Sequence, residues 1–142
     1  MEDTAWRRWL GQMTHEVTGA ALYRLADRRL FGDGVWQITR EEAEAAGKVL
    51  DGLRARAALQ GAGETLMLAG TRFEVGIRHT GSGPQDPERI LALADGHAHR
   101  ATVVCLARTP QALVLGKVNG TLLSGQLDAA VKHVAVRITM TG

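Results

Sequence analysis

The sequence contains few of the residues on which several large classes of protein depend. It has one cysteine among 142 residues, Cys105, so no disulfide can form within the chain and no zinc site can be built from cysteine alone. No apolar run approaches the roughly 20 residues that a membrane-spanning helix requires. The first residues, Met-Glu-Asp, lack the basic and apolar segments of a secretion signal. We therefore expect a cytoplasmic protein.

An excess of charge of one sign is also missing. The chain has 17 basic and 15 acidic residues, a formal net charge of +2, and its basic residues are spread along the whole length. No basic stripe of the kind that binds nucleic acid is present, so we expect no nucleic-acid partner. Hydrophobic residues make up 45% of the chain, which is ordinary for a globular protein. The length suits a single domain over residues 1–142.

No combination of residues predicts catalysis or a metal site. Ser124 lacks the surroundings of a nucleophile elbow, and Gly61-Ala62-Gly63 lacks the Lys-Ser/Thr of a phosphate-binding loop. His97 and His99 alternate along the chain, but no third metal ligand accompanies them. We expect no enzyme, no cofactor and no bound metal.

Apolar residues recur at helical spacing in three segments. The first helix begins at Asp3 or Thr4, and the second follows a capping box formed by Thr39 and Glu42. The third begins at Ser124. Strands separated by turn residues are expected at 19–26, near 30–31, and at 65–68, 71–78, 90–94, 100–107 and 111–115. Short turns between neighbouring strands favour an antiparallel sheet covered by helices, which is an α+β fold.

Short motifs in this pattern resemble those of profilins and occur in the same order. Trp6-Arg7-Arg8-Trp9 resembles the aromatic, two residues, aromatic start of the family's first helix. The segment 66–73, Leu-Met-Leu-Ala-Gly-Thr-Arg-Phe, resembles its Leu-x-Leu-Gly-Gly-Thr-Lys-Tyr hairpin. Arg-Thr-Pro-Gln-Ala-Leu at 108–113 resembles its Lys-Thr-x-Gln-Ala-Leu strand, and Ser-Gly-Gln at 124–126 the start of its last helix. Each motif is short, and their shared order over nearly the whole chain carries the resemblance.

The resemblance implies a divergent profilin. The expected fold is a central antiparallel sheet, with the N- and C-terminal helices side by side on one face and a shorter helix on the other. The expected function is to bind monomeric actin, to regulate its polymerisation, and to bind proline-rich peptides and phosphoinositide lipids in the cytoplasm, in association with the cytoskeleton. An alternative is a non-actin interaction or dimerisation module of similar architecture, such as a roadblock or longin-like domain, which would not explain the tryptophan pair.

The resemblance also assigns candidate residues to a polyproline site. Trp6 and Trp9 match the family's groove aromatics, and Phe31 falls where the family usually has a third, a tryptophan. A polyproline helix offers only hydrogen-bond acceptors, so indole N–H groups suit it. The same spacing also fits a helix packed into a core. The last helix has no aromatic residue and offers only Arg137 as a planar group, so we expect weakened polyproline binding.

Two sets of basic residues complete the candidate sites. The first set falls at or near actin-contact positions of the family and consists of Arg72, Arg78, Lys117 and Lys132. Lys132 and its neighbour lie where many members carry an acidic contact, which reverses the charge of that region. The second set is the basic turn that includes Arg24, Arg28 and Arg29, which is either a site for phosphoinositide headgroups or a solvated turn.

Overall fold

The structure is a computed structural model that describes residues 3–55, 64–94 and 101–141. Its helices are α1 (Asp3–Thr14), α2 (Arg40–Ala55), a 3₁₀ turn (Thr121–Leu123) and α3 (Ser124–Thr141). Its strands are β1 (Gly19–Arg24), β2 (Arg29–Gly32), β3 (Thr65–Leu68), β4 (Thr71–His79), β5 (Glu88–Ala94), β6 (Thr102–Arg108) and β7 (Ala112–Asn119).

The strands form one antiparallel sheet in the order β2-β1-β7-β6-β5-β4-β3. Strands that follow one another along the chain are mostly neighbours, which is why short turns suffice to connect them. The exception is the pairing of β1 with β7, which joins the beginning of the chain to its end. The α+β fold expected from the sequence is confirmed.

Helices cover the sheet on both faces. α1 and α3 contact each other and lie on one face, where the core includes Trp6, Leu22, Val114 and Ile138. α2 lies on the opposite face over a second core that includes Leu50 and residues of β1 and β3 to β7. The helix on this second face was expected to be the shorter one, but its 16 residues exceed the 12 of α1 and fall short of the 18 of α3.

Gly116 allows α3 to lie close to the centre of the sheet. A Cβ atom at this position would lie 2.8 Å from Cγ2 of Val131 and 2.9 Å from Cδ1 of Leu127. Both distances are shorter than carbon atoms tolerate, so a larger residue would push the helix outward. The strand expected to end at 115 instead runs through this glycine to Asn119.

The capping box predicted at the start of α2 is present and has a second role. The Thr39 amide donates to Oε1 of Glu42 at 3.0 Å, and the Glu42 amide donates to the Thr39 hydroxyl at 3.1 Å. The Glu42 carboxylate also accepts the amides of Ala69 and Gly70, in the turn between β3 and β4. Burial of the carboxyl group opposes ionisation, but these amides lower the pKa of Glu42 overall. One carboxylate thus anchors a hairpin to a helix start.

The single thiol lies in the core. Cys105 is fully buried in β6, and burial raises the pKa of its thiol. Such a thiol stays protonated and unreactive at neutral pH. No helix in the described part of the chain is long and apolar enough to cross a membrane.

Candidate functional site

Three aromatic side chains meet where α1 lies beside β2. Trp6 and Trp9 project from the same face of α1 because they are three residues apart. Their ring centroids are 5.3 Å apart at an interplanar angle of 75°, an edge-to-face contact. Phe31 projects from β2 and stacks on Trp6 at 5.9 Å and 13°. The structure therefore brings together Trp6, Trp9 and Phe31, which we call the aromatic cluster.

The aromatic cluster is buried and holds one unsatisfied polar group. The exposed fractions are 1% for Trp6, 5% for Trp9 and 2% for Phe31. The indole nitrogen of Trp6 is buried and has no hydrogen-bond partner among residues 3–55, 64–94 and 101–141. Because buried N–H groups are almost always paired, this donor marks a place where a ligand's acceptor would be favourable.

Three arginines cover the aromatic cluster from outside. The guanidinium carbons of Arg29, Arg24 and Arg7 lie 4.8, 5.1 and 5.6 Å from the Phe31 ring centroid. Arg24 also lies 5.5 Å from the Trp6 ring. These distances are typical of cation–π contacts. We call Arg7, Arg24 and Arg29 the arginine cap; the sequence motifs gave no sign that these side chains would converge on Phe31.

Two carboxylates hold the arginine cap in place. Arg24 donates to Asp27 at 2.6 and 2.9 Å and to Asp3 at 3.1 Å. Asp3 also pairs with Arg29, so its side chain bridges two members of the cap. The hydrogen bonds from Arg24 lower the pKa of Asp27 to about 2. Asp3, one of the two residues at which the first helix was expected to begin, therefore links the start of α1 to β1 and β2.

Arg137, the fourth residue predicted for the polyproline site, makes no cation–ring contact with the aromatic cluster in the described part of the chain. It is exposed near the end of α3, where its carbonyl accepts the Thr141 hydroxyl. The neighbouring Val134 and Ile138 are buried against the sheet instead.

All three arginines of the basic turn are already paired with carboxylates. Arg24 and Arg29 bind Asp3 as described, and Arg28 donates to both oxygens of Glu44 at 2.8 and 2.9 Å. An anionic headgroup at this turn would have to displace these carboxylates.

The four basic residues predicted to contact actin do not share one surface. Arg72 is exposed on the sheet face that carries α1 and α3, at a part of β4 that none of the described helices covers. Lys132 is partly exposed on α3, with its amine 4.0 Å from Asp86. Lys117 lies on the α2 side, 5.8 Å above the Trp36 ring. Arg78 also turns toward the α2 side.

A β-bulge explains the placement of Arg78. Val75 pairs with Ala92 and Ile77 pairs with Leu91, so Gly76 is an extra residue in β4. The extra residue reverses the facing of the strand beyond it. Arg78 is consequently only 6% exposed and lies beside Glu88, with a nitrogen–oxygen distance of 3.4 Å.

The same bulge places an apolar residue on the uncovered part of the sheet. Ile77 is 62% exposed there, and Met67 and Leu93 are also exposed. Arg72 and Glu74 lie between them on β4. We call Met67, Arg72, Glu74, Ile77 and Leu93 the outer face. It combines three exposed apolar side chains with one charge of each sign.

A buried ion-pair network borders the outer face and was not foreseen from the sequence. Arg89 is 5% exposed and donates to Asp128 of α3 at 2.7 and 3.3 Å. It also donates to Asp86 at 3.1 Å and to the Pro87 carbonyl at 2.8 Å. Hydrogen bonds from His79, Ser82 and Arg89 hold the pKa of Asp86 well below its usual range. The network fixes the 81–87 loop to α3.

Among residues 3–55, 64–94 and 101–141, no group of three or more histidine, cysteine or acidic side chains is placed to hold a metal ion. His97 and His99 lie outside the described residues.

Comparison with known proteins identifies the fold. No protein-family model matches the sequence, and no curated protein matches it. The structure of Acanthamoeba castellanii profilin IA matches with a TM-score of 0.69 and 15% identity, covering 96% of this chain and 98% of that one. Rat profilin 2a matches with a TM-score of 0.67 and 18% identity, covering 100% of this chain and 99% of that one. Mouse profilin IIa, in complex with a double repeat from the FH1 domain of mDia1, matches with a TM-score of 0.64 and 16% identity, covering 96% of this chain and 98% of that one. The chain has the profilin fold, as its motifs predicted.

Proposed function

We propose that this protein binds proline-rich peptides and monomeric actin and thereby regulates actin polymerisation. The observation that carries the proposal is the aromatic cluster, with its unpaired indole N–H, at the junction of α1 and β2 on a profilin fold. The mouse profilin IIa structure contains a bound segment of another protein, which supports a peptide-binding role for this fold.

The chemistry of the aromatic cluster suits a polyproline helix. Such a helix is stiff, lacks internal hydrogen bonds and exposes carbonyl oxygens and flat rings. Trp6 supplies a donor for a carbonyl, while Trp9 and Phe31 supply ring surface. Because the rings are buried beneath the arginine cap, a ligand must move the cap aside. The ion pair between Asp3 and Arg29 is exposed, and exposed ion pairs contribute little to stability, so a ligand can open it readily.

Replacing Trp6 by phenylalanine should weaken polyproline binding three- to tenfold. The ring is retained and the N–H donor is lost, and a hydrogen bond contributes about 0.5–1.5 kcal/mol. The measurement is tryptophan fluorescence during titration with a proline decamer. Trp36→Phe is the matched control, because Trp36 is buried in the core beneath α2, on the other side of the sheet. Circular dichroism confirms that each variant is folded.

Two results would contradict this proposal. Absence of any response in the wild-type protein at millimolar peptide would overturn polyproline binding. Equal weakening by Trp6→Phe and Trp36→Phe would show that the aromatic cluster is not where the peptide binds.

For actin, the outer face and the adjacent part of α3 form the best-suited surface. Three exposed apolar side chains lie around Arg72 there, and Lys132 projects from the helix packed on the same side. Exposed apolar side chains favour association, and the neighbouring charges give it specificity. Arg78 and Lys117 turn toward the opposite side of the sheet, so we do not expect them to contact the same partner.

Replacing Arg72 by glutamate should weaken actin binding roughly five- to tenfold, which corresponds to about 1–1.4 kcal/mol. The charge is reversed within an apolar surface, while no core contact changes. Assembly of pyrene-labelled actin in the presence of excess protein provides the measurement. Lys48→Glu is the matched control, because Lys48 is exposed on α2 on the other side of the sheet. If excess wild-type protein leaves assembly unchanged, the actin part of the proposal is wrong.

Phosphoinositide binding is a weaker extension of this proposal. The arginines of the basic turn lie near the surface, but each is neutralised by a neighbouring carboxylate.

A further inference from the structure

The arginine cap changes what an incoming peptide meets first. A bare aromatic groove would present flat apolar rings to the solvent. Here the rings are buried, and the groups on the surface are the exposed Arg7 and Arg29 with the half-exposed Asp3. The first contacts of a ligand are therefore with guanidinium groups.

The charge of this surface is not balanced. Three guanidinium groups lie over Phe31, and two carboxylates, Asp3 and Asp27, pair with two of them. Arg7 has no ion pair within the described ranges and is exposed on α1. One positive charge next to the aromatic cluster is thus available to a ligand. A second becomes available when Asp3 moves away from Arg29.

We propose that the preferred ligand of the aromatic cluster is a proline-rich segment with acidic side chains beside its prolines, whose carboxylates take the place of Asp3 on the arginine cap. This inference rests on the proposed polyproline function and specifies its partner. A neutral proline segment must separate Arg29 from Asp3 without supplying another negative charge. An acidic segment exchanges one carboxylate for another and adds a partner for Arg7, so the cap opens at lower cost.

The distances between the arginine cap and the Phe31 ring determine where the acidic residue lies in the ligand. A polyproline helix rises about 3.1 Å per residue. The guanidinium carbons lie 4.8–5.6 Å from the Phe31 ring centroid. The carboxylate therefore belongs one or two residues from the proline that stacks on Phe31. Arginine suits this arrangement because its planar group stacks on a ring while its N–H groups bind a carboxylate.

The test compares three decapeptides of otherwise identical length: all proline, proline with two glutamates, and proline with two lysines at the same positions. We expect the acidic peptide to bind the full-length protein three- to tenfold more tightly than the neutral one at low ionic strength, and the basic peptide to bind least. The acidic preference should fall as salt is raised, because exposed charges are screened. Affinity for the neutral peptide should change little with salt.

Variants assign the preference to the arginine cap. Arg7→Gln should remove most of the acidic preference, and Lys48→Gln on α2 should leave it unchanged. Asp3→Asn should increase the preference about two- to fivefold, because it releases Arg29 for the ligand. This gain of binding is a readout that a loss of folding cannot imitate.

The outcomes separate this inference from the proposed function. Equal affinity for the acidic and neutral peptides would overturn the acidic preference and leave polyproline binding in place. No binding of any peptide would overturn both. Retention of the full preference in Arg7→Gln would contradict the role of the cap. Vesicles containing phosphatidylinositol 4,5-bisphosphate that bind through Arg7 and Arg29, with no preference among the peptides, would identify the cap as a headgroup site and overturn the inference.

Discussion

Replacing Trp6 by alanine should lower the free energy of unfolding by about 3–5 kcal/mol. Trp6 is 1% exposed, and its ring contacts Trp9 at one edge and Phe31 on one face. Removing it leaves a cavity between α1 and β2 and removes a cation–π contact with Arg24. The measurement is urea denaturation followed by circular dichroism, which does not depend on tryptophan fluorescence.

The matched control for this variant is Val35→Ala. Val35 is exposed in the segment before α2, so its truncation should change the free energy of unfolding by less than about 0.5 kcal/mol. A loss below 1 kcal/mol for Trp6→Ala would show that its ring lies at an open surface and would contradict its exposed fraction of 1%.

Because Trp6→Ala is expected to be strongly destabilised, it cannot be used to locate the peptide site. An alanine variant that loses both stability and peptide binding does not identify a contact, because unfolding alone abolishes binding. The phenylalanine variant retains most of the buried ring and removes the donor. The two readings of Trp6 that the sequence left open, core residue and peptide contact, are thus distinguished by two different substitutions.

Replacing Asp128 by alanine should destabilise the protein by about 3 kcal/mol. The change leaves Nε and Nη2 of Arg89 without their acceptor while the arginine remains buried between β5 and α3. Asp86 and the Pro87 carbonyl still pair with Nη1, which keeps the effect at the lower end of the range for broken buried ion pairs. Chemical denaturation at neutral pH measures the loss.

Asp51→Ala provides the comparison for this ion pair. Asp51 pairs with Arg108 at 3.2 Å, but its side chain is about half exposed, so we expect a loss of less than about 1 kcal/mol. The double variant Arg89→Met/Asp128→Leu should recover part of the stability lost in Asp128→Ala, because the buried guanidinium is removed together with its carboxylate partner. Equal losses for Asp51→Ala and Asp128→Ala would contradict the buried character of the Arg89 network.

The elements of this fold were largely predictable from local pattern. The Thr39 and Glu42 capping box formed as its sequence predicted, because it depends on residues three apart in one turn of helix. The hairpin of β3 and β4 followed from two apolar runs around Ala69-Gly70, where both residues adopt positive φ. Strand ends were less predictable. The last strand was expected to end at residue 115, but it continues through Gly116, where the absence of a side chain lets α3 pack closely on the sheet.

The candidate site was predictable only in part. Spacing along α1 places Trp6 beside Trp9, and the motif resemblance added Phe31 from a separate strand. The arginine cap was not predictable, because Arg7, Arg24 and Arg29 come from three elements whose side chains meet only after α1 packs beside β1 and β2. Arg89 carried no sequence signal either, since its partners lie in a loop and in α3.

Local sequence was sufficient to specify which segments become helices and strands, because hydrophobic period, caps and turn residues act over a few neighbouring positions. Tertiary structure alone decided which charges share a surface. The bulge at Gly76 illustrates the reason: one extra residue in β4 turns Arg78 inward and Ile77 outward. A strand has a period of two, so a single irregularity reverses every side chain beyond it, and the pairing with β5 shows where the reversal begins.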